Sequence, residues 1–189
     1  MRLDDVEEMP HSKVPFTAAV LIPPEEIWGP IQAIRRVHDP RIARWMPHVT
    51  LLYPFVPAAF LDEAAAMLRP ACASDIPFGL TLGEFGWFDH GRWATVWLGP
   101  VPGAAVTRLR DRLAEELPWC DDTSRFEGGF SPHLSVGRWP AQQAAAAAAE
   151  LQAGWQPLQW RVDRVCLIAR PEDDSGAFGI VQELALGRP

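Results

Sequence analysis

The chain has 189 residues, 48% of them apolar, enough for one domain or two intimately packed lobes around a sizeable core. A net charge of −7 excludes a long nucleic-acid footprint, which needs clustered positive charge. It leaves room for a small phosphate ligand held by a few arginines, Lys13 being the only lysine.

Residues 1–13 are acidic and lack the apolar segment of a secretory signal, so a flexible tail is expected ahead of a single domain over 14–189. Phe16 to Ile22 reads as a buried strand. Pro23-Pro24-Glu25-Glu26 opens a helix that runs to about Val37, with proline tolerated in the first turn. "HVTLLYPF" is a second strand, and Phe60 to about Cys72 a second helix. "IPFGLTLGEFGWF" and "RWATVWLG" form two strands joined by the turn Asp89-His90-Gly91. Ala104 to Leu117 is helical, with Val106, Leu109 and Leu113 on one face, and a loop rich in Asp and Gly follows. "HLSVGRW" is a strand, and the alanine-rich stretch Ala141 to Leu151 a helix. "LQWRVDRVCLIAR" reads as one bulged strand and "AFGIVQELALG" as the last, with Asp173-Asp174 as a solvated turn before it.

Each half therefore reads strand, helix, strand, helix, strand, with repeats over about 14–91 and 92–187. The expected fold is α+β: a bilobal duplication with two antiparallel sheets flanking a central cleft and helices outside. The three cysteines, Cys72, Cys120 and Cys166, are widely spaced and form no C-x-x-C pair, so neither a disulfide framework nor a thiolate metal site is expected. No apolar run reaches membrane-spanning length, and a soluble, cytoplasmic monomer is expected.

The halves share a local pattern. Pro47-His48-Val49-Thr50-Leu51 matches Pro132-His133-Leu134-Ser135-Val136, although the chain holds five histidines in all. Alternate side chains of a strand share a face, so each motif offers one imidazole and one hydroxyl side by side. Imidazoles exchange protons near neutral pH and hydroxyls hydrogen-bond anionic oxygens. Displacement at phosphorus wants attacking and leaving oxygens in line, which two opposed strands supply. No Asp, Glu or Cys stands at a short ligand spacing from His48 and His133, so no metal or other cofactor is expected.

The paired motifs His48-Val49-Thr50 and His133-Leu134-Ser135 resemble the two-histidine phosphoesterase superfamily, and within it the 2'-5' RNA ligase / cyclic phosphodiesterase family. The resemblance extends over the element order from about Phe16 to Leu186. It implies a metal-independent enzyme acting on 2',3'-cyclic phosphates or 2'-5' linkages, reversible as a ligase. It implies His48 and His133 as acid and base in either order, and Thr50 and Ser135 as holders of the phosphate oxygens. The chain's charge favours a small nucleotide or a short RNA as substrate. A nucleotide- or phosphate-binding module using the same cleft without turnover is the alternative.

Secondary candidates flank the motifs. Tyr53 either stacks on a base at the cleft rim or caps the core; strict alternation puts it on the Val49 face. Arg138 is an anion clamp or a solvated strand-end residue, and falls on the back face unless the strand bends at Gly137. Trp45 precedes the first motif, and Arg125 and Phe126 lie in the loop before the second; both segments are candidates for closing on substrate. His11, His38 and His90 lack the motif and are expected to be exposed.

Overall fold

The computed structural model of the chain describes residues 11–122 and 128–187. Its elements are β1 (Thr17–Leu21), α1 (Trp28–His38), β2 (Val49–Leu52), α2 (Leu61–Ser74), β3 (Phe78–Asp89), β4 (Trp93–Val101), α3 (Gly103–Glu116), β5 (Leu134–Pro140), α4 (Ala144–Gly154), β6 (Leu158–Val162), β7 (Arg164–Ala169) and β8 (Gly179–Ala185). The strands form two antiparallel four-stranded sheets, ordered β2-β1-β7-β8 and β5-β4-β3-β6. The fold is α+β, as the sequence predicts.

Two departures from the predicted strands matter for the site. "LQWRVDRVCLIAR" is not one bulged strand. It breaks at Asp163, so that β6 pairs with β3 in the second sheet and β7 pairs with β1 in the first. The Asp163 carboxylate, held by Arg164 Nε at 2.8 Å, marks an exposed polar corner where the chain leaves one sheet for the other. The sequence halves also do not coincide with the sheets. β3 comes from the first half yet pairs with β4, and β7 comes from the second half yet pairs with β1. The presumed boundary at Gly91 lies inside the β3–β4 hairpin, where Gly91 (φ +85°) supplies the left-handed turn residue.

The helices repeat this exchange. α1, which connects β1 to β2, packs on β5, and α3, which connects β4 to β5, packs on β2. Each motif strand is thus backed by a helix from the other half. α2 lies on β7 and β8, and α4 on β3 and β4. One continuous core joins both sheets, running from Leu21, Val49 and Leu51 through Leu80, Val96 and Leu98 to Leu109 and Leu113. Residues 11–13 are tied down: His11 stacks on Trp119 with ring centroids 4.2 Å apart, and Lys13 Nζ lies 2.5 Å from Asp122. All three cysteines are free and buried. Among the described residues no helix is long and apolar enough to cross a membrane.

Candidate active site

Both motif strands carry a β-bulge at the same place. In β2, Thr50 pairs with Val20 and Leu52 with Ala19, leaving Leu51 as the extra residue. In β5, Ser135 pairs with Trp97 and Gly137 with Val96, leaving Val136 extra. A bulge resets the alternation of side chains. Leu51 and Leu52 are both buried, as are Val136 and Gly137, and the residue that follows each pair turns to the hydroxyl face. Tyr53 and Arg138, five residues after their respective histidines, therefore line the same cleft as Thr50 and Ser135. Strict alternation puts both on the wrong face; the bulges correct it, and Arg138 takes the bend at Gly137 that the sequence reading allowed for.

The histidines are anchored alike. His48 Nδ1 lies 2.7 Å from the Met46 carbonyl oxygen, and His133 Nδ1 lies 2.8 Å from the Ser131 carbonyl oxygen, in each case two residues back. A carbonyl only accepts, so each Nδ1 carries the proton and donates it. In the neutral ring Nε2 is then the atom left free for chemistry. Among the described residues neither Thr50 nor Ser135 spends its hydroxyl on a protein partner.

The cleft between the sheets encloses about 350 Å³. Trp45, His48, Thr50 and Tyr53 line it from the first sheet and the segment before it, and Trp93, Thr95, Ser135 and Arg138 from the second. His133 is not among the residues that line it; two residues before the lining residue Ser135, its half-buried ring lies edge-on to Phe88 at 4.8 Å. Its charge is felt at His48, whose pKa is lowered to about 4. Burial is the main cause; the Met46 carbonyl opposes it, the Arg35 and His133 charges add to it, and Asp39 opposes it weakly. Burial lowers the His133 pKa as well, against the pull of the Ser131 carbonyl.

Several lining residues escape the sequence reading. Arg35 on α1 is 2% exposed and fully engaged: Nε donates to Asp39 at 2.9 Å, Nη1 to Gln32 at 3.1 Å and Nη2 to the Trp45 carbonyl at 2.8 Å. It holds the loop that carries Trp45 and the first motif. Trp93 underlies Arg138, whose guanidinium sits 3.9 Å from the ring centroid, a cation–π contact that fixes the group beside Ser135. Nothing in the local sequence marks either pairing, because both are contacts between elements.

Trp45 stacks on His48 (4.7 Å, 20°) and on Phe178 (3.8 Å, 26°). Two rings this close to one indole cannot lie side by side on one face, so they occupy opposite faces. Trp45 therefore supports the histidine and has no open face for a base. Tyr53 leans edge-on against Trp45 at 5.6 Å, and its hydroxyl donates to the Pro15 carbonyl at 3.3 Å. Arg125 and Phe126 lie outside the described residues. The three other histidines are all engaged: His11 on Trp119, His38 on Trp139 (4.1 Å), and His90 on Trp93 (4.1 Å) with its Nε2 3.2 Å from the Thr95 hydroxyl. His38 is half-buried, contrary to expectation, because the end of α1 docks on β5. Asp174 is exposed in its turn, as expected, and is also ion-paired to both Arg44 and Arg170.

Fold and site together define a class: an α+β protein whose two four-stranded antiparallel sheets each present one His-x-Thr/Ser strand toward a shared cleft. The chain belongs to the 2'-5' RNA ligase superfamily, whose sequence profile matches residues 23–174. A protein of Geobacillus kaustophilus (strain HTA426) that carries the name of a phosphoesterase is 27% identical over 158 residues, which is 82% of this chain and 88% of that protein. The crystal structure of E. coli LigT complexed with 3'-AMP is similar in fold, with a TM-score of 0.64 and 21% identity over 92% of this chain and 98% of that one. That of TT0787 of Thermus thermophilus has a TM-score of 0.64 at 16% identity, over 92% of this chain and 100% of that one.

Proposed function

We propose that the chain is a metal-independent phosphodiesterase. Its substrates are 2',3'-cyclic phosphates or 2'-5' linkages of nucleotides or short RNA, and His48 and His133 are its general acid and base. One Nε2 takes the proton of water as the water oxygen bonds to phosphorus. The bond from phosphorus to the ribose oxygen breaks, and the other imidazolium gives that oxygen its proton. With a ribose 5'-hydroxyl as nucleophile in place of water, the same steps would form its bond to the phosphorus of a 2',3'-cyclic phosphate, break the bond from phosphorus to the 3'-oxygen, which takes the proton, and leave two ends joined through a 2'-5' linkage. Thr50 and Ser135 donate to the phosphate oxygens that do not react, and Arg138 supplies a forked cation beside them.

The observation that carries this reading is the matched anchoring of the two imidazoles, which leaves an Nε2 free on each. Each proton makes the next harder to add, because the charge of His133 lowers the His48 pKa. A bound phosphate anion acts against this lowering, which favours the singly protonated pair that acid–base catalysis needs. Charge agrees: Arg35, Arg41 and Arg138 line the cleft against a single carboxylate, Asp39, in a chain of net charge −7. Both proton transfers are carried by the imidazoles themselves. Among the described residues no three His, Cys, Asp or Glu side chains are grouped to hold a metal ion.

The test offers purified protein 2',3'-cyclic nucleotides, 2'-5'-linked dinucleotides and RNA ends in the presence of a chelator. Turnover in the wild type, reduced about 10²- to 10⁴-fold in both His48→Ala and His133→Ala, is the expected result. Ligand binding without product in the wild type would leave a binding module instead.

A further inference from the structure

We propose that Phe178 and Trp45 form a positioning column for His48, so that the segment between β7 and β8 sets how the first-sheet imidazole faces the cleft. This rests on the proposed role of His48 in proton transfer. The motif itself fixes the ring at one atom, Nδ1. A single hydrogen bond leaves the ring plane free to swing about that contact. The Trp45 indole removes this freedom by lying nearly parallel to the imidazole, 4.7 Å away.

Trp45 is held from three sides. Phe178, 5% exposed, covers its other face at 3.8 Å. Arg35 Nη2 grips the Trp45 carbonyl, and the Phe178 amide donates to the Arg44 carbonyl at 2.9 Å, one residue before Trp45. The segment that carries Phe178 is latched in turn. Asp174 adopts a left-handed conformation (φ 65°) and is paired by Arg44 and Arg170. The Arg170 guanidinium lies over the rings of Phe16 (4.8 Å) and Phe178 (5.4 Å). Left-handed backbone at a non-glycine residue persists where its surroundings hold it. The order of support is thus Arg170 and Asp174, Phe178, Trp45, His48. Neither Phe178 nor Trp45 has an atom that could take or give the proton, so both act through His48.

The column also excludes water from one face of the imidazole. The charged groups that otherwise act on His48 are Arg35 on α1, Asp39 at its end and His133 on β5. Removing the Phe178 ring alters none of them, so a change in the titration of His48 then reports the column.

The experiment follows the Cε1–H resonances of His48 and His133 against pH in the wild type, Phe178→Ala and Phe178→Leu, assigned with His48→Gln and His133→Gln. In Phe178→Ala the His48 midpoint rises from about 4 by roughly one pH unit or more as water reaches the ring, while that of His133 stays within about 0.3. Phe178→Leu, which keeps an apolar contact and serves where the alanine variant does not fold, gives a smaller shift in the same direction. The acid limb of the kcat profile moves with the His48 midpoint, and kcat falls about tenfold with KM within about twofold, as expected for a misplaced proton-transfer group. An unmoved His48 midpoint in both variants, or equal shifts at both histidines, overturns the column. A shifted His48 midpoint in a protein that turns over no phosphodiester overturns the proposed function and leaves the column standing.

Discussion

Gly137→Ala is the most demanding test of how the cleft is built. A Cβ at this position would stand 2.5 Å from His38 Cβ and 2.9 Å from the His38 main-chain carbon and oxygen. Ordinary carbon–carbon contact is about 3.5–4.0 Å, so the end of α1 must retreat from β5 by about 1 Å. His38→Ala gives no relief, because it keeps the Cβ and the main chain that the new methyl meets. Overpacking of this kind costs about 1–3 kcal/mol, which in a domain of this size lowers Tm by roughly 2–12 °C. The retreat also carries Arg35, Asp39 and the loop to Trp45 away from the cleft, so kcat/KM falls with stability. Chemical and thermal denaturation check the first expectation and steady-state kinetics the second. Gly79→Ala is the control, since a methyl there meets nothing within 4 Å in a strand of the same sheet. A Gly137→Ala protein within about 0.5 kcal/mol of wild type would refute the close docking of α1 on the second motif strand.

The pKa of His48, lowered from 6.5 to about 4, means that between these values the unfolded chain binds a proton that the folded chain does not. Stability therefore falls as pH drops through that window, by on the order of 3 kcal/mol at this site, and urea titrations from pH 7.5 to 4.5 should show a shallower decline in His48→Gln. Arg35→Met leaves the half-buried Asp39 without its cation and the Trp45 carbonyl without its donor, and should cost about 1–3 kcal/mol, part of it recovered by adding Asp39→Asn, as a double-mutant denaturation cycle would read. Arg138→Ala should raise KM about tenfold with a smaller effect on kcat. Arg138→Lys should restore little, because an ammonium cannot lie flat on Trp93 as the guanidinium does.

The motif pair, most of the element order and the cleft-lining His48, Thr50 and Ser135 are legible in the sequence because period-two alternation governs them locally. The faces of Tyr53 and Arg138 are not, since a bulge is a relation between two strands. A trace of it is nonetheless present: Leu51-Leu52 and Val136-Gly137 are unbroken apolar pairs where alternation calls for a polar residue. The split at Asp163 is hidden for the converse reason. Apolar residues flank it on both sides, and nothing in a single strand records which sheet it joins. Arg35 sits in "IRRVH" beside Arg36, yet one is buried in an ion pair and the other exposed; helix docking alone separates them. Phe178 reads only as the start of a last strand, because its partner Trp45 lies far away in the chain.

The traffic of strands and helices between the halves has a mechanical consequence. Each sheet borrows a central strand from the opposite half, and each motif strand leans on a helix from across the molecule. Such interlacing ties both motif strands into one core, so the placing of His48 relative to His133 depends on the packing of both halves together.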